Sequence, residues 1–304
     1  AESEFLNMFK SIRKNKLKTA LIVAAIFALL TVVVYYISYA LGYGEYAVVI
    51  AVSFSLITSI ASYWNSDKIV IAMNHAHPAD EQQQRYLINA LEGVCIAAGI
   101  DVPKLYVMDD PSPNAFATGR SPKHSAVCVT TGLLSTLDYY QLEGVLAHEV
   151  SHIKNYDILL STVASVMIGA VIMISDIWSR SFWYGSRRRN SDNEKGSANA
   201  IMMIVGLVFI ILAPVAGQLM RLALSRNREY LADATAVQLT RNPEGLATAL
   251  EVIGGINEPV RCASTATANM YISDPILAAN GRTSNLFATH PPIQKRIDAI
   301  RNLE

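Results

Sequence analysis

The sequence is poor in charged residues, and this shortage argues against an ordinary soluble protein. Only 16% of its 304 residues are Asp, Glu, Lys or Arg, against about 25% in soluble domains, while 52% are hydrophobic. A chain of this length forms one or two domains and buries a sizeable core. The core is not expected to hold all of these apolar residues, and we expect some of them to face lipid.

Positive net charge and closely spaced cysteines are also lacking. The 25 basic and 25 acidic residues cancel, so no overall field favours nucleic acid as a partner. The three cysteines, Cys95, Cys128 and Cys262, are too far apart in sequence for a CxxC metal site and cannot all pair. They therefore favour a reducing compartment.

Long apolar runs are what the sequence has in place of charge. The first covers residues 20 to about 41 and the second residues 46 to about 63, with a turn at Gly42-Tyr43-Gly44 between them. A helix rises about 1.5 Å per residue, so each run spans most or all of a hydrocarbon core about 30 Å thick. The first run is too long for a signal peptide and lacks a small-residue cleavage site. The two runs predict a transmembrane hairpin.

Charges beside these runs predict the topology. Five basic residues precede the first run: Lys10, Arg13, Lys14, Lys16 and Lys18. By the positive-inside rule they place the N-terminus, and with it residues 66–157, in the cytoplasm. The third and fourth apolar runs cover residues 158–178 and 200–219, and the loop between them carries basic residues that oppose this rule: Arg180, Arg187, Arg188, Arg189 and Lys195.

Two interpretations of this second hairpin remain open. Either the N-terminal cluster dominates the topology, or the hairpin does not cross the membrane fully. In both cases residues before 157 and after 220 lie on the same side and can form one site. We therefore expect a multi-pass protein of the cell (inner or plasma) membrane whose site faces the cytoplasm.

The segment HEVSH at residues 148–152 carries the strongest chemical signal. Asp138 and Gln141 predict a capping box that begins a helix running to about Tyr156. Upstream, residues 80–98 have helical periodicity, and three short strands are expected at residues 104–108, 114–119 and 126–130. A small sheet thus precedes the helix of the HEVSH segment.

On that helix His148 and His152 lie one turn apart on one face and can bind one metal ion. Glu149 lies about 100° around the helix, within reach of a water on that metal. A pair of histidines on a solvated or buried face is the alternative. The flanking residues are apolar, however, and polar groups on a buried helix need partners, which a metal supplies.

A third ligand is expected after the fourth apolar run. Glu229 and Asp233 are four residues apart on a second helical pattern, so both carboxylates face the same way. Catalytic zinc sites commonly add one carboxylate to two histidines. Glu229 as a ligand and Asp233 as the acceptor of a histidine N–H is one interpretation, and a solvated acidic face is the other.

Four segments in chain order resemble the HtpX family of membrane zinc metallopeptidases, relatives of the CAAX prenyl proteases. They are NAFATG at 114–119, HEVSH at 148–152, REYLAD at 228–233 and THPP at 289–292. The resemblance covers nearly the whole chain, including the order of the apolar runs. It implies a membrane-embedded zinc-dependent endopeptidase that cleaves misfolded or membrane polypeptides at the cytoplasmic face.

The resemblance also implies a role for each site residue. One Zn²⁺ is bound by His148, His152 and Glu229, and Glu149 is the general base. Residues 114–119 offer a strand edge to the substrate, and His290 steadies the transition state. Residues 114–119 could also be an ordinary edge strand without a role in binding. The segment around His290 could also be a rigid turn before the final helix.

These expectations combine into a mainly helical α+β fold. Four long apolar transmembrane helices accompany a zincin-type metallopeptidase domain with a small β-sheet. We expect residues 1–65 to form the basic N-terminus and first hairpin, 158–219 the second hairpin, and 66–157 with 220–304 the catalytic part. No nucleic acid is expected as a partner, and the sequence does not indicate the oligomeric state.

Two other functions fit the motif less well. A zinc transporter would place its ligands inside an apolar span, whereas His148 and His152 precede one. A structural zinc is usually closed by four ligands, often cysteines, and the three cysteines lie outside the motifs.

Overall fold

A computed structural model describes part of residues 13–39 and then residues 42–186, 226–256, 258–275 and 290–303. The helices are α1 Thr19–Tyr36, α2 Tyr46–Trp64, α3 Ser66–Met73, α4 Arg85–Ala98, α5 Thr131–Thr136, α6 Tyr139–Lys154, α7 Asp157–Ser186, α8 Arg226–Thr240, α9 Pro243–Gly255 and α10 Ile293–Arg301. The strands are β1 His77–Pro78, β2 Lys104–Met108, β3 Ala115–Ser121 and β4 His124–Thr130. The mainly helical fold with a small sheet is confirmed.

The sheet has the strand order β1-β2-β4-β3, which leaves β3 at one end. Strand β2 runs parallel to β4, and β3 pairs antiparallel with β4 through the predicted turn. The three predicted strands are therefore confirmed. The predicted helix at residues 80–98 begins later, at Arg85, because the Asp80 side chain accepts hydrogen bonds from the backbone N–H groups of Gln82 and Gln83. These bonds hold a turn in place of the first helical turn.

Helix α6 lies at the centre of the molecule and packs against α4, α8 and α9. A glycine allows its close approach to α9: a Cβ at Gly144 would lie 2.9 Å from the Cα of Leu246. Leu146, Val150 and Ile153 of α6 are fully buried in the main apolar cluster. The helix that carries the HEVSH segment is thus fixed on several sides.

Two helices of the described residues, α1 and α2, are long and apolar enough to cross a membrane, with mean hydropathies of 2.4 and 1.8. They match the two apolar runs of the first predicted hairpin; Ser38 and Tyr39 are helical as well, and residues 40 and 41 lie outside the described residues. The third apolar run is helical, as α7, but its first part packs against β3 and α3. Thr162 and Ser165 of this part are fully buried. The fourth run and most of the basic loop lie outside the described residues, so four transmembrane helices are not confirmed.

Candidate metal centre

The start of α6 is set by the predicted capping box. Asp138 Oδ1 accepts from the Gln141 N–H at 2.9 Å, and Gln141 Oε1 accepts from the Asp138 N–H at 3.0 Å. The helix ends at Lys154, two residues before the expected end, because Tyr156 has a positive φ of 58°. This left-handed residue stops the helix and begins α7 at the next position.

His148, His152 and Glu229 lie together between α6 and α8. One donor atom from each can be chosen such that all three are within 4.8 Å of one another. The two Nε2 atoms are 3.1 Å apart, and Glu229 carboxylate oxygens lie 3.7 Å from His148 Nε2 and 3.6 Å from His152 Nε2. His148 is buried, and the other two are largely so. The structure therefore brings the three proposed ligands together, although Glu229 lies 77 residues after His152 in the sequence.

The hydrogen bonds of the two imidazoles show that this cluster suits a cation. His148 Nδ1 is 2.9 Å from Asp233 Oδ1, and His152 Nδ1 is 3.3 Å from Asp157 Oδ2. Carboxylates accept, so each Nδ1 carries a proton, and in neutral rings both Nε2 lone pairs then face each other. A zinc ion bonded to two such nitrogens would separate them by roughly 3.3 Å. The donor set fits zinc, and Glu229 Oε2 has no hydrogen-bond partner within the described residues.

Behind His148 stands a buried ion pair. Arg296 of α10 donates from Nε to Asp233 Oδ2 at 2.9 Å and from Nη2 to Asp233 Oδ1 at 2.7 Å. Its Nη1 donates to the carbonyl oxygen of Ile272 at 2.9 Å. Arg296 is fully buried and Asp233 is 2% exposed. The predicted contact of Asp233 with a histidine is present, and the arginine fixes the carboxylate that makes it.

Behind His152 stands a looser pair at the start of α7. The turn at Tyr156 brings Asp157 back onto His152, and Arg228 Nη1 of α8 lies 3.6 Å from Asp157 Oδ1. Both side chains of this ion pair keep some exposure. Each histidine thus has its own carboxylate and each carboxylate its own arginine.

The sequence interpretation missed Asp157 and Arg296. For Arg296 a signal existed, because it lies among Ile293, Ile297 and Ile300 on the apolar face of an amphipathic helix, where a charge needs a partner. For Asp157 no comparable pattern exists, since its contact depends on one left-handed residue.

Burial and neighbouring charges give the two histidines of the metal-free chain opposite pKa shifts. Burial lowers the pKa of His148 to about 4, despite the hydrogen bond to Asp233. Burial also lowers the pKa of His152, but the hydrogen bond to Asp157 and the charge of Glu229 outweigh it and raise the value to about 9. One imidazole is neutral and the other protonated at pH 7, so positive charge is already favoured at this point.

The two glutamates of the cluster also differ. Burial raises the pKa of Glu229, but the charges of His290 and His152 outweigh it and lower the value to about 2. Burial raises the pKa of Glu149 to about 7, with the charge of His152 opposing. Glu229 is therefore ionised at neutral pH, as a metal ligand must be. Glu149 is held near the pKa at which a carboxylate both takes and returns a proton.

Glu149 lines a cavity that the proposed ligands also line. It accepts a hydrogen bond from the backbone N–H of Ala117 in β3, while its Oε1 has no partner within the described residues. His290 lines the same cavity, with its Nε2 4.0 Å from Glu229 Oε2. Burial lowers the pKa of His290 and favours the neutral imidazole, while the charge of Glu229 opposes this shift. The preceding residue of the THPP segment, Thr289, lies outside the described residues.

The strand edge expected to receive substrate is partly occupied by the chain itself. Ala115 O of β3 accepts from the Ile272 N–H at 2.9 Å, and Phe116 forms an antiparallel bridge with Tyr271. At the other end, the Gly119 N–H donates to Thr162 Oγ1 of α7 at 3.0 Å. Only the stretch around Ala117 lies along the cavity.

Comparison with known proteins places this geometry in context. Residues 81–304 match the model of peptidase family M48. Relatives named protease HtpX homolog are 48% identical in Dictyoglomus thermophilum, covering 96% of this chain and 94% of the relative, and 40% identical in Ligilactobacillus salivarius, covering 97% and 100%. The crystal structure of Ste24p from S. mikatae matches 97% of this chain and 67% of that chain, with 17% identity and a TM-score of 0.48.

Proposed function

This chain belongs to peptidase family M48 and is a metallopeptidase, and we propose that it is a membrane-embedded zinc endopeptidase. Its proposed substrates are misfolded or membrane polypeptides, cleaved at the cytoplasmic face of the cell membrane as a quality-control activity. One observation carries the proposal: three metal-binding side chains and a carboxylate of raised pKa line the same cavity.

The proposed ligands are His148, His152 and Glu229, and they hold one zinc ion. When bound, zinc supplies a Lewis acid that polarises a peptide carbonyl and lowers the pKa of water. Glu149 is the general base: it takes a proton from the attacking water and returns it to the leaving amine. Its Oε1 has no hydrogen-bond partner within the described residues and is available to take this proton. The Ala117 N–H donates to the carboxylate and fixes its position.

His290 is the proposed donor to the carbonyl oxygen as negative charge develops there. A neutral imidazole still carries one N–H, so the lowered pKa of His290 is compatible with this role. Donors of this kind contribute about 3 kcal/mol to transition-state stabilisation in other hydrolases. The substrate backbone is proposed to lie along β3 near Ala117, where an extended peptide is recognised by main-chain hydrogen bonds.

The membrane part of the proposal rests on the N-terminal helices. Several large apolar side chains of α2 are well exposed, among them Val49 at 64% and Ile57 at 68%. A continuous apolar surface of this kind suits lipid. In the proposed organisation residues 1–65 form the first hairpin and 158–219 the second, while residues 66–157 and 220–304 form the catalytic part.

Zinc content and casein cleavage of the detergent-purified chain test this proposal. Glu149→Gln is expected to keep one zinc per chain and to lose casein cleavage by at least about 100-fold, because the general base is removed while the ligands stay. Glu229→Ala is expected to lose both zinc and cleavage. Glu143→Gln, on the same helix but outside the cavity, is the control and should behave as wild type. Cleavage at the wild-type rate by Glu149→Gln, or in excess chelator, would contradict the proposal.

A further inference from the structure

Asn269 is a buried polar side chain to which neither the motifs nor the mechanism gives a role. It lies in a short 3-10 turn, Ala268–Met270, and is 6% exposed. Its Oδ1 accepts a hydrogen bond from Ser165 Oγ of α7 at 3.2 Å. Its Nδ2, which carries two N–H donors, is buried with no hydrogen-bond partner within the described residues. A buried amide left in this state costs free energy, so it calls for an acceptor from outside the chain.

The position of Asn269 shows where that acceptor would come from. Asn269 lines the cavity that Glu149 also lines. The bridge between Phe116 and Tyr271 fixes this segment beside β3, and the 3-10 turn that contains Asn269 packs against both β3 and α7. The amide thus lies beside the stretch of β3 along which the substrate backbone is proposed to run.

Asn269 lies away from the proposed metal ligands. Its partner Ser165 is eight residues after Asp157, which contacts His152, and this spacing corresponds to about 12 Å along α7. An extended peptide covers that distance in roughly four residues. This separation along α7 suits a substrate group that lies several residues from the carbonyl under attack.

The choice of chemical group follows from the donor. The Nδ2 group offers only N–H donors, so its partner is an oxygen acceptor. In an extended peptide the main-chain carbonyls are the acceptors present at every residue, whatever the side chains. We propose that Asn269 binds a main-chain carbonyl of the polypeptide substrate, a few residues from the scissile bond. This assignment rests on the proposed peptidase function.

Ser165 has a defined part in this arrangement. Its hydroxyl donates to Oδ1 and so orients the amide with Nδ2 towards the cavity. Ser165 is fully buried in the part of α7 that packs against the catalytic domain. The Ser165–Asn269 contact thereby joins this helix to the wall of the substrate cavity.

Two variants of the full chain in detergent test the assignment. Asn269→Asp keeps the size of the side chain and the bond from Ser165 but removes both donors, and Asn269→Ala removes the whole amide. We expect KM for fluorescein-labelled casein to rise about 10-fold or more in both, with kcat within about threefold of wild type, because a ground-state contact is lost. Asn302→Ala, on the exposed end of α10, is the control and should leave KM unchanged.

A binding measurement separates this inference from the proposed function. In the Glu149→Gln background, the same casein is titrated and its fluorescence anisotropy recorded, with and without Asn269→Asp. A Kd at least about 10-fold weaker in the double variant supports the contact even if wild type proves inactive, which would count against the peptidase proposal alone. Unchanged KM and Kd, or loss of zinc and of thermal stability in both Asn269 variants, would overturn the assignment.

Discussion

The two histidines of the candidate metal centre have the same kind of partner in different surroundings. On the His148 side, Asp233 and Arg296 are almost completely buried, and their closest oxygen and nitrogen are 2.7 Å apart. On the His152 side, Asp157 and Arg228 keep 10% and 16% of their side chains exposed, and their atoms are 3.6 Å apart. One ion pair is therefore more deeply buried and more closely spaced, and the other lies closer to solvent.

This difference matters because a charge pair behaves differently once water is excluded. The buried carboxylate of Asp233 has lost its hydration, and the bidentate contact with Arg296, together with the hydrogen bond from His148, compensates for it. Burial raises the pKa of Asp233, but the charge of Arg296 and its hydrogen bonds outweigh it and hold the pKa well below the usual range. A partly exposed pair is screened by solvent and contributes less. We expect the first side to determine stability and zinc affinity more strongly than the second.

The largest effect is expected from Arg296→Met. This change keeps much of the side-chain volume but leaves the charge of Asp233 buried without its partner. Breaking one side of a buried ion pair destabilises a protein by about 3–5 kcal/mol. The measurement is the denaturation midpoint of the detergent-purified chain, followed by circular dichroism.

Arg301→Met on the same helix provides the matched control. Arg301 also contacts two carboxylates, Glu244 and Glu251, but on the exposed surface. Its removal should leave the midpoint almost unchanged. Equal shifts for Arg296→Met and Arg301→Met would show that burial is not what distinguishes the two ion pairs.

Asp233→Asn is expected to have the next largest effect, on zinc. The amide oxygen can still accept from His148 Nδ1, but the negative charge that raises the basicity of this proposed ligand is lost. Loss of an outer partner of a metal-bound histidine weakens metal affinity by about 10- to 100-fold, and the buried position of Asp233 favours the upper end. Competition with a chelator of known zinc affinity measures the change. Zinc affinity equal to that of wild type would remove Asp233 from the metal centre.

Local patterns in the sequence account for much of this structure. The capping box of Asp138 and Gln141, the strands β2 to β4 and the spacing of His148 and His152 depend on residues close together in the chain, and the structure contains all of them. The contact of Asp233 with a histidine could be predicted from the sequence because Glu229 and Asp233 share one helix face.

Contacts between residues far apart in the chain could not be predicted from the sequence in the same way. The pairing of Arg296 with Asp233 joins positions 63 residues apart, and no local pattern specifies the partner. The pairing of Ile272 with β3 has the same origin, since a strand edge does not indicate which segment will cover it. The composition of the apolar run in α7 did not predict the burial of Thr162, because a run of apolar residues suits a protein core as well as lipid.

The smallest effect is expected from Asp157→Asn, and it decides whether the two sides of the centre really differ. His152 keeps an acceptor for its Nδ1–H, and solvent near Asp157 compensates for part of the lost charge. We therefore expect zinc affinity to fall by about 10-fold, at the lower end of the range for such partners, with little change in the denaturation midpoint. Chelator competition under the conditions used for Asp233→Asn gives a direct comparison. A loss as large as that of Asp233→Asn would mean that the geometry of the histidine contact, and not its burial, determines zinc affinity.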